Sequence, residues 1–153
     1  DINTGTLKTI RKLSMQISAR NQITGMVELI EYGKINAQVF IKLKSGNTLV
    51  SVITNTAANN LNLEIGDDVV AIFKSSTVLI TTDMALNISA RNKFDGIVDS
   101  INQDEINTEL VIDIGNSEKI ASIITSSSAE RLKIEKGTQV SAIIKASDVI
   151  IGK

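Results

Sequence analysis

The feature that most constrains the fold of this chain is an internal duplication. Residues 18–81 align without a gap against residues 89–152. About 24 of the 64 aligned positions are identical, far more than chance gives, which marks a duplicated structural unit. A unit of about 65 residues buries only a modest core, so we expect the units to pack together or with units of other chains. We divide the chain into a preceding segment, a first repeat and a second repeat, at residues 1–15, 16–82 and 83–153.

Each repeat has the period-two pattern of short strands. In the first repeat, β-branched and alternating segments occur at 24–32, 36–43, 48–54, 68–74 and 77–81. Such residues pack well on a pleated surface, and turn residues separate the segments. A helical segment is predicted at 55–61 and its counterpart at 126–132. We predict an all-β fold of two tandem OB-like, five-stranded Greek-key barrels, each with one short helix.

The segment before the repeats has a different pattern. Leu7, Ile10 and Leu13 recur at helical spacing, and Lys8 and Arg11 lie on the other side. We predict a short amphipathic helix, or a linker, at residues 1–15.

Composition removes several classes of protein. The chain contains no Cys and no His, which excludes disulfides, thiolate metal sites and the commonest catalytic base. Without a nucleophile–base pair in the sequence, we do not expect an enzyme. A net charge of −1 and an aromatic content of 3% argue against nucleic-acid binding. No apolar run reaches the length of a membrane span and no signal peptide is visible, so we expect a cytoplasmic protein.

The tetrapeptide Ser-Ala-Arg-Asn occurs twice, at 18–21 and 89–92, and the two repeats share further polar residues. The other shared pairs are Asn36/Asn107, Ser51/Ser122, Thr54/Thr125, Lys74/Lys145 and Ser76/Ser147. This set is rich in hydrogen-bond donors and carries two positive charges per repeat, which suits a tetrahedral dianion rather than a free metal cation. Thr54 precedes the helical segment, whose first backbone N–H groups can bind an oxyanion.

Some shared residues also have a purely structural interpretation. Thr54 can cap a helix, and Lys74 can be a solvated lysine at the end of a strand. Gly25 and Gly66 can serve turns or bulges. For the Arg and Asn of the tetrapeptide the sequence offers no packing reason, and we interpret them as ligand contacts.

The motifs "SARNQ" and "SARNK", each followed by Gly and a Val-rich strand, resemble the Mop domain. The segment 61–80 and its counterpart, which ends in "VSAIIKASDVII", resemble it too, and the likeness covers residues 16–153. Two copies in tandem resemble the di-Mop module of molbindins and of the effector domains of molybdate-responsive transcription regulators. The resemblance implies barrels of the Mop or TOBE type that bind molybdate or tungstate between barrels of different chains. It therefore implies a homo-oligomer, a dimer for a regulator or a trimer for a molbindin.

The resemblance also implies the ligating residues. In the first repeat they are Ser18, Ala19, Arg20, Asn21, Thr54, Thr56, Ala57, Ala58, Lys74 and Ser75. In the second repeat they are Ser89, Ala90, Arg91, Asn92, Thr125, Ser127, Ser128, Ala129, Lys145 and Ala146. The chain departs from the family pattern at two of these positions, where Ala57 and Ala146 stand in place of Ser.

Three functions remain open at this point. The leader before the first motif is similar to the linker of the regulators, and the chain begins with Asp1, so we expect the effector domain of a regulator whose DNA-binding domain is absent. The intact second motif is typical of molbindins, and storage of molybdate is the alternative. A structural or oligonucleotide-binding barrel pair is the third possibility.

Overall fold

The computed structural model describes residues 16–153, and both repeats fold into strands and one short helix. The first repeat contains β1 (Asn21–Tyr32), β2 (Asn36–Leu43), β3 (Thr48–Thr54), α1 (Asn55–Asn60), β4 (Asp68–Phe73) and β5 (Leu79–Thr81). The second contains β6 (Asn92–Gln103), β7 (Asn107–Asp113), β8 (Lys119–Thr125), α2 (Ser126–Arg131), β9 (Gln139–Ile144) and β10 (Ile150–Gly152). The helix predicted at residues 1–15 lies outside the described residues.

The predicted all-β class is confirmed, and most predicted boundaries agree with the strands. β2 and β3 have the predicted bounds, whereas β1 begins three residues earlier, at Asn21. The last predicted strand is shorter than expected, because a 3₁₀ turn at Ser75–Thr77 leaves only three residues for β5. The order of the first antiparallel sheet is β10-β4-β1-β2-β3, and that of the second is β5-β9-β6-β7-β8.

The two sheets exchange their fifth strands. β5 belongs to the first repeat but pairs with β9, where Ile80 lies opposite Ala142. β10 pairs in the same way with β4, where Ile151 lies opposite Ala71. The sequence did not indicate this exchange, because the fifth strands are only three residues long and either sheet can satisfy their backbone hydrogen bonds. The division at residues 82 and 83 therefore follows the sequence repeat but not the sheets, and it stays a proposal.

The buried apolar side chains of both repeats form a single core. Phe73, Ile41 and Val27 of the first repeat belong to the same cluster as Leu110 and Ile144 of the second. The exchanged strands contribute Ile151 at one end of this cluster. The two repeats therefore share one core. This shared core is larger than the core that a unit of about 65 residues can bury alone.

Asn21 and Asn92 join the two repeats. Asn92 is fully buried, accepts a hydrogen bond from the Val50 N–H at 2.7 Å and donates to the Val50 carbonyl at 2.9 Å. Asn21 does the same with Ala121, at 2.8 and 2.9 Å. Val50 and Ala121 lie on β3 and β8, which are the edge strands of their sheets. Each amide therefore satisfies the N–H and C=O that an edge strand would otherwise leave unpaired. We call these contacts the asparagine clamps.

Further reciprocal hydrogen bonds surround the asparagine clamps. The buried Ser51 hydroxyl donates to the Val149 carbonyl at 2.8 Å, and Ser122 donates to Val78 at the same distance. The turns after β2 and β7 also meet, since the Asn116 amide donates to the Lys44 carbonyl at 3.0 Å. Ser51 and Ser122, one of the serine pairs shared by the two repeats, are thus part of the joint between them.

The glycine that follows each tetrapeptide serves close approach of two strands. A Cβ atom on Gly25 would lie 2.5 Å from the Ile41 side chain and 2.7 Å from the Lys42 carbonyl oxygen. On Gly96 it would lie 2.5 Å from the Asp113 carbonyl oxygen. Gly66 instead has a positive φ of 95°, as a turn requires.

The described residues have neither a membrane-spanning helix nor a cluster of acidic metal ligands. Between residues 16 and 153, no helix has the length and hydropathy needed to cross a membrane. The same part of the chain has no group of three or more Asp or Glu side chains arranged to hold a metal ion.

We expect Asn21→Ala to lower the free energy of unfolding by about 2–4 kcal/mol, because it leaves two buried backbone groups of Ala121 unpaired. Urea denaturation measures the change. The control is Asn36→Ala, since Asn36 is also identical in both repeats but is exposed. Equal stabilities of the two variants would contradict the structural role of the asparagine clamps.

Candidate functional site

The first candidate pocket joins the tetrapeptide of the first repeat to the segment after β4. This first pocket is lined by Ile17, Ser18, Ala19, Arg20, Ile72, Phe73, Lys74, Ser75, Ser76, Thr77, Ile123, Asp148 and Ile150. Its polar wall comes mainly from the first repeat. Ile123, Asp148 and Ile150 come from the second repeat.

The second candidate pocket is built from the equivalent parts of the second repeat. This second pocket is lined by Val52, Leu79, Ile88, Ser89, Ala90, Arg91, Lys145, Ala146 and Ser147. Val52 and Leu79 come from the first repeat. The duplication has thus produced two pockets of the same plan.

The pairing of β1 with β4 explains why distant residues meet in the first pocket. Asn21 lies opposite Phe73 in this antiparallel pair, so Arg20 and Lys74 flank the same end of the two strands. Asn92 lies opposite Ile144 in the same way and places Arg91 beside Lys145. The asparagine clamps fix this end of β1 and β6 against the neighbouring repeat.

Side chains next to the tetrapeptides hold the loops that carry them. Gln22 Nε2 donates to the carbonyls of Ile17 and Ala19, at 3.2 and 3.0 Å. Its counterpart Lys93 donates to the Met84 carbonyl at 3.0 Å. The backbone around Ser18 is therefore fixed by the residue that follows the tetrapeptide.

The two arginines contact different groups of the opposite repeat. The terminal guanidinium nitrogens of Arg20, Nη1 and Nη2, donate to the Glu109 carboxylate, at 2.7 and 3.0 Å. This bidentate pair lowers the pKa of Glu109 and raises that of Arg20, chiefly through the side-chain hydrogen bonds. Arg91 instead donates to the neutral Gln38 amide and lies 6.0 Å from the centre of the Phe40 ring.

The lysines of both pockets are available to a ligand. Lys74 and Lys145 are exposed, and within residues 16–153 neither lies within ion-pair distance of a carboxylate. Ser18 and Ser89 are exposed as well, whereas Ser75 is buried. Exposed ammonium and hydroxyl donors on one wall can bind a tetrahedral anion through charge-assisted hydrogen bonds.

The helical segments are not part of either pocket. Thr54, Thr56, Ala57, Ala58, Thr125, Ser127, Ser128 and Ala129 do not line them. The Thr54 hydroxyl accepts from the Ala57 N–H at 3.0 Å, and Thr125 accepts from the Ser128 N–H at 3.2 Å. The capping role of these threonines is confirmed, and Ala58 and Ala129 are buried in the core. The resemblance assigns the tetrapeptides and the helical segments to a single site, but within one chain they do not line the same pocket.

Asn21 and Asn92 require a correction. We predicted that they contact the ligand, but both polar atoms of each amide are bonded to the backbone of the opposite repeat. Because each side chain is also buried, it is not exposed to an anion in the pocket. Each asparagine instead fixes the strand end beside its neighbouring arginine to the opposite repeat.

The partners of the arginines were missed by sequence reasoning. Gln38 and Glu109 occupy equivalent positions in the two repeats but differ in charge. Neither residue is identical in the two repeats, and neither belongs to the motifs that carry the resemblance, so the sequence did not mark them as site residues. A difference in charge between equivalent positions of the two repeats is the signal that points to these residues.

A family model described as the TOBE domain matches residues 17–80 and 88–151. A solved structure of ModG, described as a cytoplasmic molybdate-binding protein and determined with molybdate bound, is 38% identical with a TM-score of 0.87. That match covers 90% of this chain and 99% of the ModG chain.

Two curated relatives extend the comparison. The molybdenum transport protein ModE of Azotobacter vinelandii is 34% identical over 144 residues, which are 94% of this chain and 53% of ModE. The molybdenum-pterin-binding protein MopA of Rhodobacter capsulatus is 36% identical over 146 residues, which are 95% of this chain and 55% of MopA. The chain spans about half the length of these curated relatives. Since the family model matches both repeats and the fold is that of ModG, the chain belongs to the TOBE domain family, with two TOBE domains in tandem.

Proposed function

We propose that this chain binds molybdate or tungstate in its two pockets, as a binding protein and not as an enzyme. The observation that carries the proposal is the meeting of Ser18, Arg20 and Lys74 in one pocket and of Ser89, Arg91 and Lys145 in the other. These donors suit an oxyanion, and the fold is that of a protein determined with molybdate bound.

The proposed site is completed by a second copy of the chain. The helical segments Thr54–Ala58 and Thr125–Ala129 do not reach the pockets of their own chain, and we assign them to pockets of a neighbouring chain. Exposed apolar side chains at equivalent positions support a contact between copies. Ile35 and Ile106 are 74% and 75% exposed, and Leu79 and Ile150, which line the pockets, are 55% and 59% exposed.

The proposed role is the effector-sensing domain of a molybdate-responsive transcription regulator, in which DNA is bound by a domain outside this chain. ModE relatives that align over nearly the whole of this chain support that role. Cytoplasmic storage of molybdate is the second candidate, and it is favoured by the match to 99% of the ModG chain. Both roles use the same two pockets, so the tests below do not depend on the choice.

We expect molybdate and tungstate to bind far more tightly than sulfate or phosphate. A preformed set of donors meets a smaller anion poorly and leaves some donors unpaired. Titration calorimetry with the four anions at one pH and one ionic strength measures the affinities. Equal affinity for sulfate would reduce the pockets to general anion patches and contradict the proposal.

We expect Lys145→Ala to weaken molybdate binding at the second pocket by about tenfold or more, because it removes a charged hydrogen-bond donor. The stability of the protein should not change, since Lys145 is exposed. Lys42→Ala is the matched control, because Lys42 is exposed and lies outside both pockets. The same calorimetry, with urea denaturation of each variant, provides both measurements. Unchanged affinity in Lys145→Ala would remove the second pocket from the proposal.

We expect the protein to be at least a dimer at micromolar concentration, because the apolar side chains around the pockets require a covering partner. Multi-angle light scattering after size-exclusion chromatography measures the molar mass. A monomer that binds molybdate tightly would show that each pocket is complete within one chain.

A further inference from the structure

We propose that the two oxyanion pockets have unequal affinities and that the difference is set by the Glu109 carboxylate, which makes the first pocket the weaker site. This inference rests on the function proposed above and concerns the same two pockets. It assigns a specificity-determining role to position 109 and to its equivalent, position 38.

The arginine of the first pocket is already neutralised. Arg20 uses two nitrogens in its bidentate contact with Glu109, so an anion has to share or displace this carboxylate. Arg91 of the second pocket donates to a neutral amide oxygen, which leaves its full positive charge for an anion. The two contacts lie at equivalent places in the fold, because Gln38 and Glu109 occupy the same position in β2 and β7.

The remaining charges increase the difference in affinity between the two pockets. Asp148 lines the first pocket, so Arg20 and Lys74 face two carboxylates in all. Among residues 16–153, no carboxylate lines the second pocket, where Arg91 and Lys145 provide two positive charges. The first pocket is therefore close to neutral, whereas the second has the charge that a dianion requires.

Two features favour tighter binding at the first pocket. Ser75 of the first pocket is replaced by Ala146 in the second, which removes one hydroxyl. Glu31 borders a cavity adjoining Arg91 and Gln38, although it does not line the second pocket itself. A neutral hydroxyl donor contributes about half as much as a charge-assisted one, so freeing the guanidinium outweighs the loss of the hydroxyl.

The test is titration calorimetry of sodium molybdate into the complete chain. We expect two classes of site, of which Lys145→Ala weakens the tighter one. Glu109→Gln should tighten the weaker class by about tenfold and leave the tighter class unchanged, because it removes a negative charge beside a bound dianion. The Glu109→Gln variant is expected to fold, since Gln already stands at the equivalent position of the first repeat.

The reciprocal variant is Gln38→Glu, which gives Arg91 the carboxylate that Arg20 has. It should weaken the tighter class by a similar factor. Glu64→Gln is the control for the loss of one negative charge, because Glu64 is exposed and lies outside both pockets. Its affinities should equal those of the unaltered chain.

The outcomes are distinguishable. Equal affinity at both sites of the unaltered chain, or a weaker class that does not respond to Glu109→Gln, would overturn this inference while molybdate binding stands. A response to Glu64→Gln as large as that to Glu109→Gln would assign the effect to overall charge and overturn it too. Absence of molybdate binding in the unaltered chain would overturn the proposed function together with the inference.

Discussion

The reciprocal hydrogen bonds of Asn21 and Asn92 are the constraint on which the rest of the structure depends. Each sheet ends in an edge strand, and the groups of Val50 and Ala121 are paired there by an amide of the opposite repeat. An amide can do this because it carries an acceptor oxygen and an N–H donor on the same carbon, so it can pair with the N–H and C=O of one residue at once. The same residues begin β1 and β6, so the joint between the repeats also fixes the strand ends that carry the arginines.

The exchange of the fifth strands gives this joint its second component. β5 and β10 pair with the sheet of the other repeat, and the core is continuous across both. As a result, each of the two candidate pockets combines polar residues of one repeat with side chains of the other, which include Asp148 at the first pocket. The residue that faces each arginine also comes from the opposite repeat. The properties of a pocket therefore depend on both halves of the chain.

The sequence predicted the fold class and the resemblance to a tandem Mop module, and both are confirmed. The duplication allowed this, because two aligned copies separate the strand pattern from incidental residues. The duplication also led to the ligand-contact interpretation of Asn21. A residue that joins the two repeats is identical in both, as is a residue that binds a ligand in each, so identity alone does not distinguish the two roles. The alternation along β1 held the missing signal: Asn21 and Ile23 share the inward face, whereas Arg20 is exposed.

The strand exchange and the arginine partners could not be read from the sequence for a different reason. The fifth strands are only three residues long, and nothing local to Leu79–Thr81 determines which sheet that strand joins. Glu109 lies far from Arg20 in the chain, and only the register of the sheets brings them together. The site residues other than the two asparagines stay predictions, because their assignment depends on a ligand and on a neighbouring chain.

A tandem arrangement has a physical consequence that single repeats lack. An assembly of identical single-repeat chains carries the same side chain at every equivalent position, so all its sites have the same charge. In this chain the two halves are covalently joined and can differ, and they do so at Gln38 and Glu109 and at Thr77 and Asp148. Both differences place the negative charge on the second repeat, and both carboxylates lie at the first pocket, because the joint crosses the repeats. The electrostatic difference between the pockets thus arises from the way the repeats are interlocked, which turns substitutions in one repeat into changes at the site of the other.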